Sequence, residues 1–348
     1  MFLKGTRSLD IGQMRPYIND ADGKNYVSVF SGTPGADRKD EKNYITMQTN
    51  AKTILRRDEW KEIDLQVVAA AKARTGGVDD LIASGLVYRL ANPLGKTALE
   101  WEDTNVPFEA ETSMDAVARS RNDRITYQTN VTPLPITHVD YQLNLRTLTA
   151  SRTLGEALDA TNAYYAAYAV NLKIEQMLFA DTIYTYGTPD SRNRNSIYSY
   201  VNFPDRTQVS MTSWIGKSPE DIIDDCLKMK QASIDAKHFG PWVMYIPVAY
   251  ETLLDKDFNT VSGKTLRERI LGIEGINTIR TNDILASDNV LLVQMTPDTV
   301  RLIEGFAPTT VSWDEQGGLL ANFKVMALRV PQLRSDRNGL CGIVHAAV

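Results

Sequence analysis

The chain is short of cysteine, histidine, long apolar runs and positive charge, and each shortage excludes something. Two cysteines in 348 residues, Cys226 and Cys341, make no disulfide framework and suit a reducing compartment. Three histidines, His138, His238 and His345, lie far apart and have no zinc-type spacing with each other or with cysteine. No apolar stretch reaches the ~20 residues of a membrane span. The opening MFLKGTRSLD is too polar for a secretory signal, so cytosol-like conditions and no membrane are expected. A net charge of −5 argues against general grip on a phosphate backbone, which needs clustered Lys and Arg. What remains, 43% hydrophobic and 23% charged residues, describes a globular chain of one to three domains.

Catalytic signatures are scarce too. Gly95-Lys96-Thr97 and Gly263-Lys264-Thr265 look like phosphate-loop fragments, but that motif needs glycine where Leu90 and Phe258 stand. GxSxG, HExxH and a dinucleotide fingerprint are missing. The adjacent acids Asp79-Asp80 and Asp224-Asp225 point to different helix faces and make no carboxylate dyad. Asn130-Val131-Thr132 is a glycosylation sequon in form only, since nothing directs the chain to a secretory compartment. The expectation is no catalytic residue, no cofactor and no metal, with a soluble α/β enzyme built from distant residues as the outside alternative.

The most distinctive stretch runs from Thr153 to Asp181, without proline and with Gly155 as its only glycine. Leu158, Tyr165, Tyr168, Leu172 and Phe179 recur at helical steps along one face of a long helix expected over about 155–180. Six alanines between Ala157 and Ala169 raise helix propensity and suit close packing on several sides.

Charge is unevenly spread. Residues 1–57 carry ten Lys and Arg against six Asp and Glu, an excess of +4 that leaves −9 for the remainder. Turn signals punctuate this part, with short apolar pieces only at Tyr26 to Phe30 and Tyr44 to Met47. It reads as a tail, or as an arm that orders on a neighbouring copy through Arg38, Lys39 and Lys42. From Leu99 to Asp115 six acids (Glu100, Glu102, Asp103, Glu109, Glu111 and Asp115) occur with no Lys or Arg. Arg119, Arg121 and Arg124 then surround Asn122-Asp123, the expected tip of a long hairpin. Two such limbs cannot form their own core, so the hairpin must rest on something else. Acidic limb and arginine tip suit complementary surfaces on adjacent copies.

Elsewhere, Trp60, Ile63, Val67, Val68 and Ala71 mark a helix ending at Gly76-Gly77, followed by a turn at Asp79 to Ser84 and a strand at Leu86 to Leu90. A strand alternates through Val139, Tyr141, Leu143 and Leu145, and Thr182 to Trp214 is a polar, ordered excursion. Ser218-Pro219-Glu220 caps a helix whose buried face is Ile222, Ile223, Cys226, Leu227 and Ile234. Strands at 242–246, 276–280, 290–294 and 299–303, with short helices at 247–254 and 266–271, complete an α/β unit. Strands at 309–313, 319–330 and 340–346 close the chain.

This order of elements resembles the tailed-phage major capsid proteins of the Hong Kong 97 type, whose fold encapsulins share. The resemblance is carried by RRDEWKEIDLQVVAAAKAR (Arg56 to Arg74), the stretch Thr147 to Asp181, VMYIPVAYETLL (Val243 to Leu254) and KTLRERI (Lys264 to Ile270). It implies an α+β Hong Kong 97-like capsid fold. Residues 1–57 would be an N-terminal arm and 97–135 an extended E-loop. Residues 58–96, 136–216 and 307–348 would make a peripheral domain with a spine helix, its sheet closed by the final strands. Residues 217–306 would be an apical domain. The implied function is a shell of hexamers and pentamers around double-stranded DNA in a virion, assembled in the host bacterial cytoplasm with portal and scaffolding or decoration proteins. An encapsulin-type nanocompartment is the alternative. No lysine lies between Lys96 and Lys173, so the E-loop offers no nucleophile for the covalent crosslink of the phage that names the fold.

Overall fold

The computed structural model describes residues 16–18, 24–30, 44–48, 57–71, 76–104, 127–144, 161–187, 195–258, 263–315, 320–336 and 338–348, with residues 110, 112, 114, 125, 146 and 149. Strands β1 (Pro16–Ile18), β2 (Asn25–Phe30) and β3 (Tyr44–Gln48) form an antiparallel sheet within the segment expected to be an arm. Helices α1 (Arg57–Ala71) and α2 (Gly76–Ala83) follow, then β4 (Val87–Arg89). Among the described residues, strands β5 (Ala98–Thr104) and β6 (Tyr127–Pro133) pair only with each other, and β7 (Thr137–Asn144) leads towards α3 (Thr161–Phe179). The short ribbon β8 (Tyr184–Thr185) and β9 (Ser196–Ile197) precedes β10 (Thr207–Ser210), α4 (Pro219–Asp235) and β11 (Trp242–Pro247). Then come α5 (Glu251–Leu254), α6 (Leu266–Leu271), β12 (Ile276–Asn282), β13 (Asn289–Gln294), β14 (Val300–Glu315), β15 (Leu320–Leu333) and β16 (Ile343–Ala347).

Helix α3 has 19 residues, a rod of roughly 28 Å; its expected start before Thr161 lies outside the described residues. Its buried stripe is Ala163, Ala166, Ala167, Val170, Ile174, Leu178 and Phe179. Of the face read from sequence, Tyr165 is exposed, Tyr168 and Leu172 are half-buried and Phe179 is buried, while Leu158 lies outside the described residues. Alanines take the inner column because α1 (Trp60, Ile63, Val67) and the inner sheet residues Phe323 and Val325 pack closely there. Large rings fit only at the flanks.

Two other local expectations are corrected. Gly76 and Gly77 begin α2 rather than end α1, and Asp79 to Ala83 is helical rather than a turn. The cause is tertiary: Glu175 accepts the N–H groups of Gly77 and Val78, and a Cβ at Gly77 would stand 2.3 Å from the Phe179 ring. Leu227, expected on the buried face of α4, is exposed, and Met229 and Ser233 continue the inner stripe instead. The Ser218 cap is as expected, its hydroxyl accepting from the Asp221 N–H.

The sheets explain how the core is shared. One has the order β4-β14-β15-β7, and the segments expected as 299–303 and 309–313 are a single strand, β14, with irregular pairing at Glu304, Phe306 and Thr309. The other has the order β10-β16-β13-β11-β12, so β16 sits inside this sheet and does not close the first one as expected. Alternation along β11 settles its two faces. Val243 and Tyr245 join the core around α3, whereas Trp242, Met244 and Ile246 join that around α4. A sheet buried on both faces needs a near-continuous apolar run, and WVMYIP supplies it.

Candidate assembly surface

The acidic limb is strand β5, paired in register with β6 through Glu100 with Val131, Trp101 with Asn130 and Glu102 with Thr129. Period-two alternation turns Glu100 and Glu102 outward, both exposed, and Trp101 inward. An apolar cluster of Leu90, Leu134, Ile303, Phe306, Leu328 and Val330, joined by Leu99, seats the root of the ribbon on the β14–β15 sheet. Polar groups fix it further. The buried Thr132 hydroxyl accepts from Trp101 Nε1 at 3.2 Å and from Gln332 Nε2 at 3.4 Å. Gln332 Oε1 in turn accepts from Arg301 Nε at 2.5 Å. The Arg301 guanidinium lies 4.7 Å from the Tyr88 ring, and that of Arg334 lies 5.0 Å from the Trp101 ring. A cleft of about 160 Å³ opens beside the root between Pro93, Lys96, Pro133, Ile136, Tyr184 and Tyr186.

Of the contact residues expected from sequence, Glu100 and Glu102 therefore share one exposed face. Asp103 belongs to β5, but its side chain lies outside the described residues, as do Glu109, Glu111, Arg119, Arg121, Arg124, Arg38, Lys39 and Lys42. Arg301, Gln332 and Arg334 were not foreseen. They sit among apolar strand residues, and only cross-strand register places them under the hairpin; the inward alternation of Trp101 was the one available signal.

A second polar node ties α2, α3 and β12 together. Glu175, 1% exposed, accepts from Gly77 N at 2.8 Å, Val78 N at 3.1 Å and Asn282 Nδ2 at 3.1 Å. Burial, with help from the Asp79 charge, pushes its carboxyl up to about 7 against the pull of those three donors. Next to it Asp80 accepts from Tyr245 Oη and pairs with Arg280 at 3.1 Å. Tyr200 and Tyr245 stack on each other, and Phe179 packs edge-on against both, 5.4 and 4.9 Å from their centroids.

The remaining chemistry-bearing groups are held in place. His138 lies 3.8 Å from Asp140, and His238 Nδ1 is 2.6 Å from Gln294 Oε1. His345 accepts from Arg206 Nε at Nδ1 and meets Asn289 Oδ1 at Nε2; burial, then the Arg206 charge, lowers its pKa to about 4. Burial pushes both thiols, Cys226 and Cys341, up to about 12, which makes them poor nucleophiles. Among the described residues no three His, Cys, Asp or Glu side chains gather as a metal site, and no helix is long and apolar enough to cross a membrane.

The described structure is a mixed α+β fold shared with capsid proteins of the Hong Kong 97 type. A virus-like particle from Pyrococcus furiosus is similar over 82% of this chain and 98% of its own, with TM-score 0.59 and 17% identity. The capsid of Myoviridae phage XM1 is similar over 76% and 90%, with TM-score 0.58 and 10% identity. A structure from Mycobacterium phage Bobi is similar over 77% and 89%, with TM-score 0.52 and 12% identity. By sequence, residues 50–346 match the model of DUF6260, a family of unknown function, and the chain belongs to that family. No curated protein matches the sequence significantly.

Proposed function

We propose that this chain is the major capsid protein of a tailed bacteriophage, self-assembling into an icosahedral head around double-stranded DNA. The observation that carries the reading is a fold similar to shell subunits over about nine-tenths of their length. In this reading 1–57 is the arm, 97–135 the E-loop, α3 the spine, 217–306 the apical domain and the rest the peripheral domain. Hexamers and pentamers form as arm and E-loop cross to neighbours, the charges of Glu100, Glu102 and the arginine tip setting partner and register. The role is structural, without turnover or cofactor. Portal and scaffolding or decoration proteins are the further partners, and the site of action is the virion after assembly in the bacterial cytoplasm. A body carrying −9 confines DNA without gripping it.

The likeness to the Pyrococcus particle supports a second reading, a small nanocompartment shell. Electron microscopy of purified particles separates the two: large DNA-filled heads are expected, small protein-filled shells favour the second reading, and absence of any shell rejects both. Boiled in denaturant, particles should run as monomer, because no lysine stands between Lys96 and Lys173; a ladder would refute this.

A further inference from the structure

We infer that Arg301 and Arg334 form a receptor for the acidic outer face of β5, Glu100 and Glu102, on a second copy of this chain. The inference rests on the shell reading and names the surface that one charged limb meets. Gln332 anchors the geometry: Arg301 stands directly opposite it across the strand pair, and Arg334 lies two residues further along. Both guanidiniums thus belong to the sheet face under the hairpin root. Each rests against an aromatic ring, Tyr88 or Trp101, so its flat side is covered and its remaining terminal N–H groups are left for an acceptor.

Their N–H groups are incompletely used. Arg301 spends Nε on Gln332, and Arg334 spends one terminal nitrogen on the Pro297 carbonyl at 3.3 Å. Arg334 Nε is buried without a hydrogen-bond partner. Among the described residues no carboxylate pairs with either arginine. Other arginines of the molecule do have acids: Arg329 pairs with Glu304 at 2.7 Å, Arg280 with Asp80 at 3.1 Å and Arg267 with Asp255 at 3.2 Å. Two neighbouring half-buried cations without a counter-charge repel each other, and burial and Arg334 both hold Arg301 below its usual value. Such a pair is stabilised by an anion.

The chain's own Glu100 and Glu102 are unsuited to that role. Trp101 between them turns towards Thr132 and the arginine face, so its neighbours in the strand point the other way. A second copy can present them. Carboxylates two residues apart on an extended strand stand on the order of 7 Å from each other, a spacing that suits two guanidiniums flanking one glutamine. A DNA phosphate is the weaker candidate, because two arginines in an acidic body make no basic stripe.

A charge-swap cycle on the full-length chain tests this, with assembled fraction read by sedimentation and microscopy. Glu100→Arg with Glu102→Arg changes only exposed positions, and Arg301→Glu with Arg334→Glu changes the receptor. Each pair should cut assembly about tenfold, and the chain carrying all four should recover most of it. Because Arg301→Glu also breaks the bond to Gln332, Arg334→Glu with Glu102→Arg gives a milder cycle with the same expected rescue. Circular dichroism checks that subunits stay folded. Reversals that assemble normally, or a combination no better than its parts, overturn the pairing while leaving a particle-forming wild type intact. Loss of nucleic acid from normally assembled arginine variants also overturns it, in favour of phosphate binding. A wild type that forms no particles removes the shell reading and this pairing with it.

Discussion

Glu175 accepts the backbone N–H groups of Gly77 and Val78, joining residues nearly a hundred positions apart. The carboxylate closes the N-terminus of α2, where unpaired N–H groups and the helix dipole favour an anion. The site is nonetheless buried, so ionisation is opposed, and the carboxyl is raised from 4.5 to about 7. A raised carboxyl contributes stability that is complete below its unfolded value and lost as pH climbs through the folded one. Unfolding free energy should therefore fall by about 3 kcal/mol from this group between pH 4.5 and 8. Urea titrations across that range check it: Glu175→Gln should flatten the slope, and an unchanged slope assigns the loss to other groups.

Gly77 tests the same contact sterically. Alanine there would place Cβ 2.3 Å and 2.7 Å from two Phe179 ring carbons, and the buried Phe179 is held edge-on against the stacked Tyr200 and Tyr245 rings. Gly77→Ala should cost about 1–3 kcal/mol, visible as a lowered melting temperature. A melting temperature equal to wild type would show that α2 can shift away freely.

At the hairpin root, Thr132→Val keeps the shape but removes the oxygen that serves both Trp101 and Gln332. The buried Gln332 donor and the part-buried Trp101 donor then lack an acceptor, a cost of about 1–3 kcal/mol. Hydrogen exchange should quicken in β5 and β6 before it does in β11 and β13. Uniform change across the molecule would mean that the ribbon is anchored by its apolar contacts alone.

His345 works in the opposite pH direction from Glu175. Its pKa is lowered from 6.5 to about 4 by burial and by Arg206. Its contribution is present above pH 6.5 and is lost as pH falls through 4, up to about 3 kcal/mol. His345→Gln should reduce acid sensitivity between pH 6 and 4 in fluorescence-monitored unfolding. Equal acid midpoints in both proteins would clear His345 of that role.

The sequence alone determined the elements whose signals are local. Ser218 before Pro219 announced a helix start, Trp242 to Ile246 a strand, and Val139, Tyr141 and Leu143 an alternating strand. The acidic run with Glu100 and Glu102 marked a surface limb, and its apolar poverty required a support elsewhere. Their order along the chain also carried the resemblance to the capsid fold. Tertiary structure alone decided what depends on partners distant in sequence. It rotated the buried stripe of α3 onto alanines, because α1 and the sheet approach too closely for tyrosine. It began α2 at two glycines, because a carboxylate 98 residues away caps it there. It placed β16 inside the mixed sheet, and it set Arg301 and Arg334 on one face, with no acid pairing either among the described residues. Hydrogen-bond register and charge pairing act across space, so no local pattern in the chain encodes them.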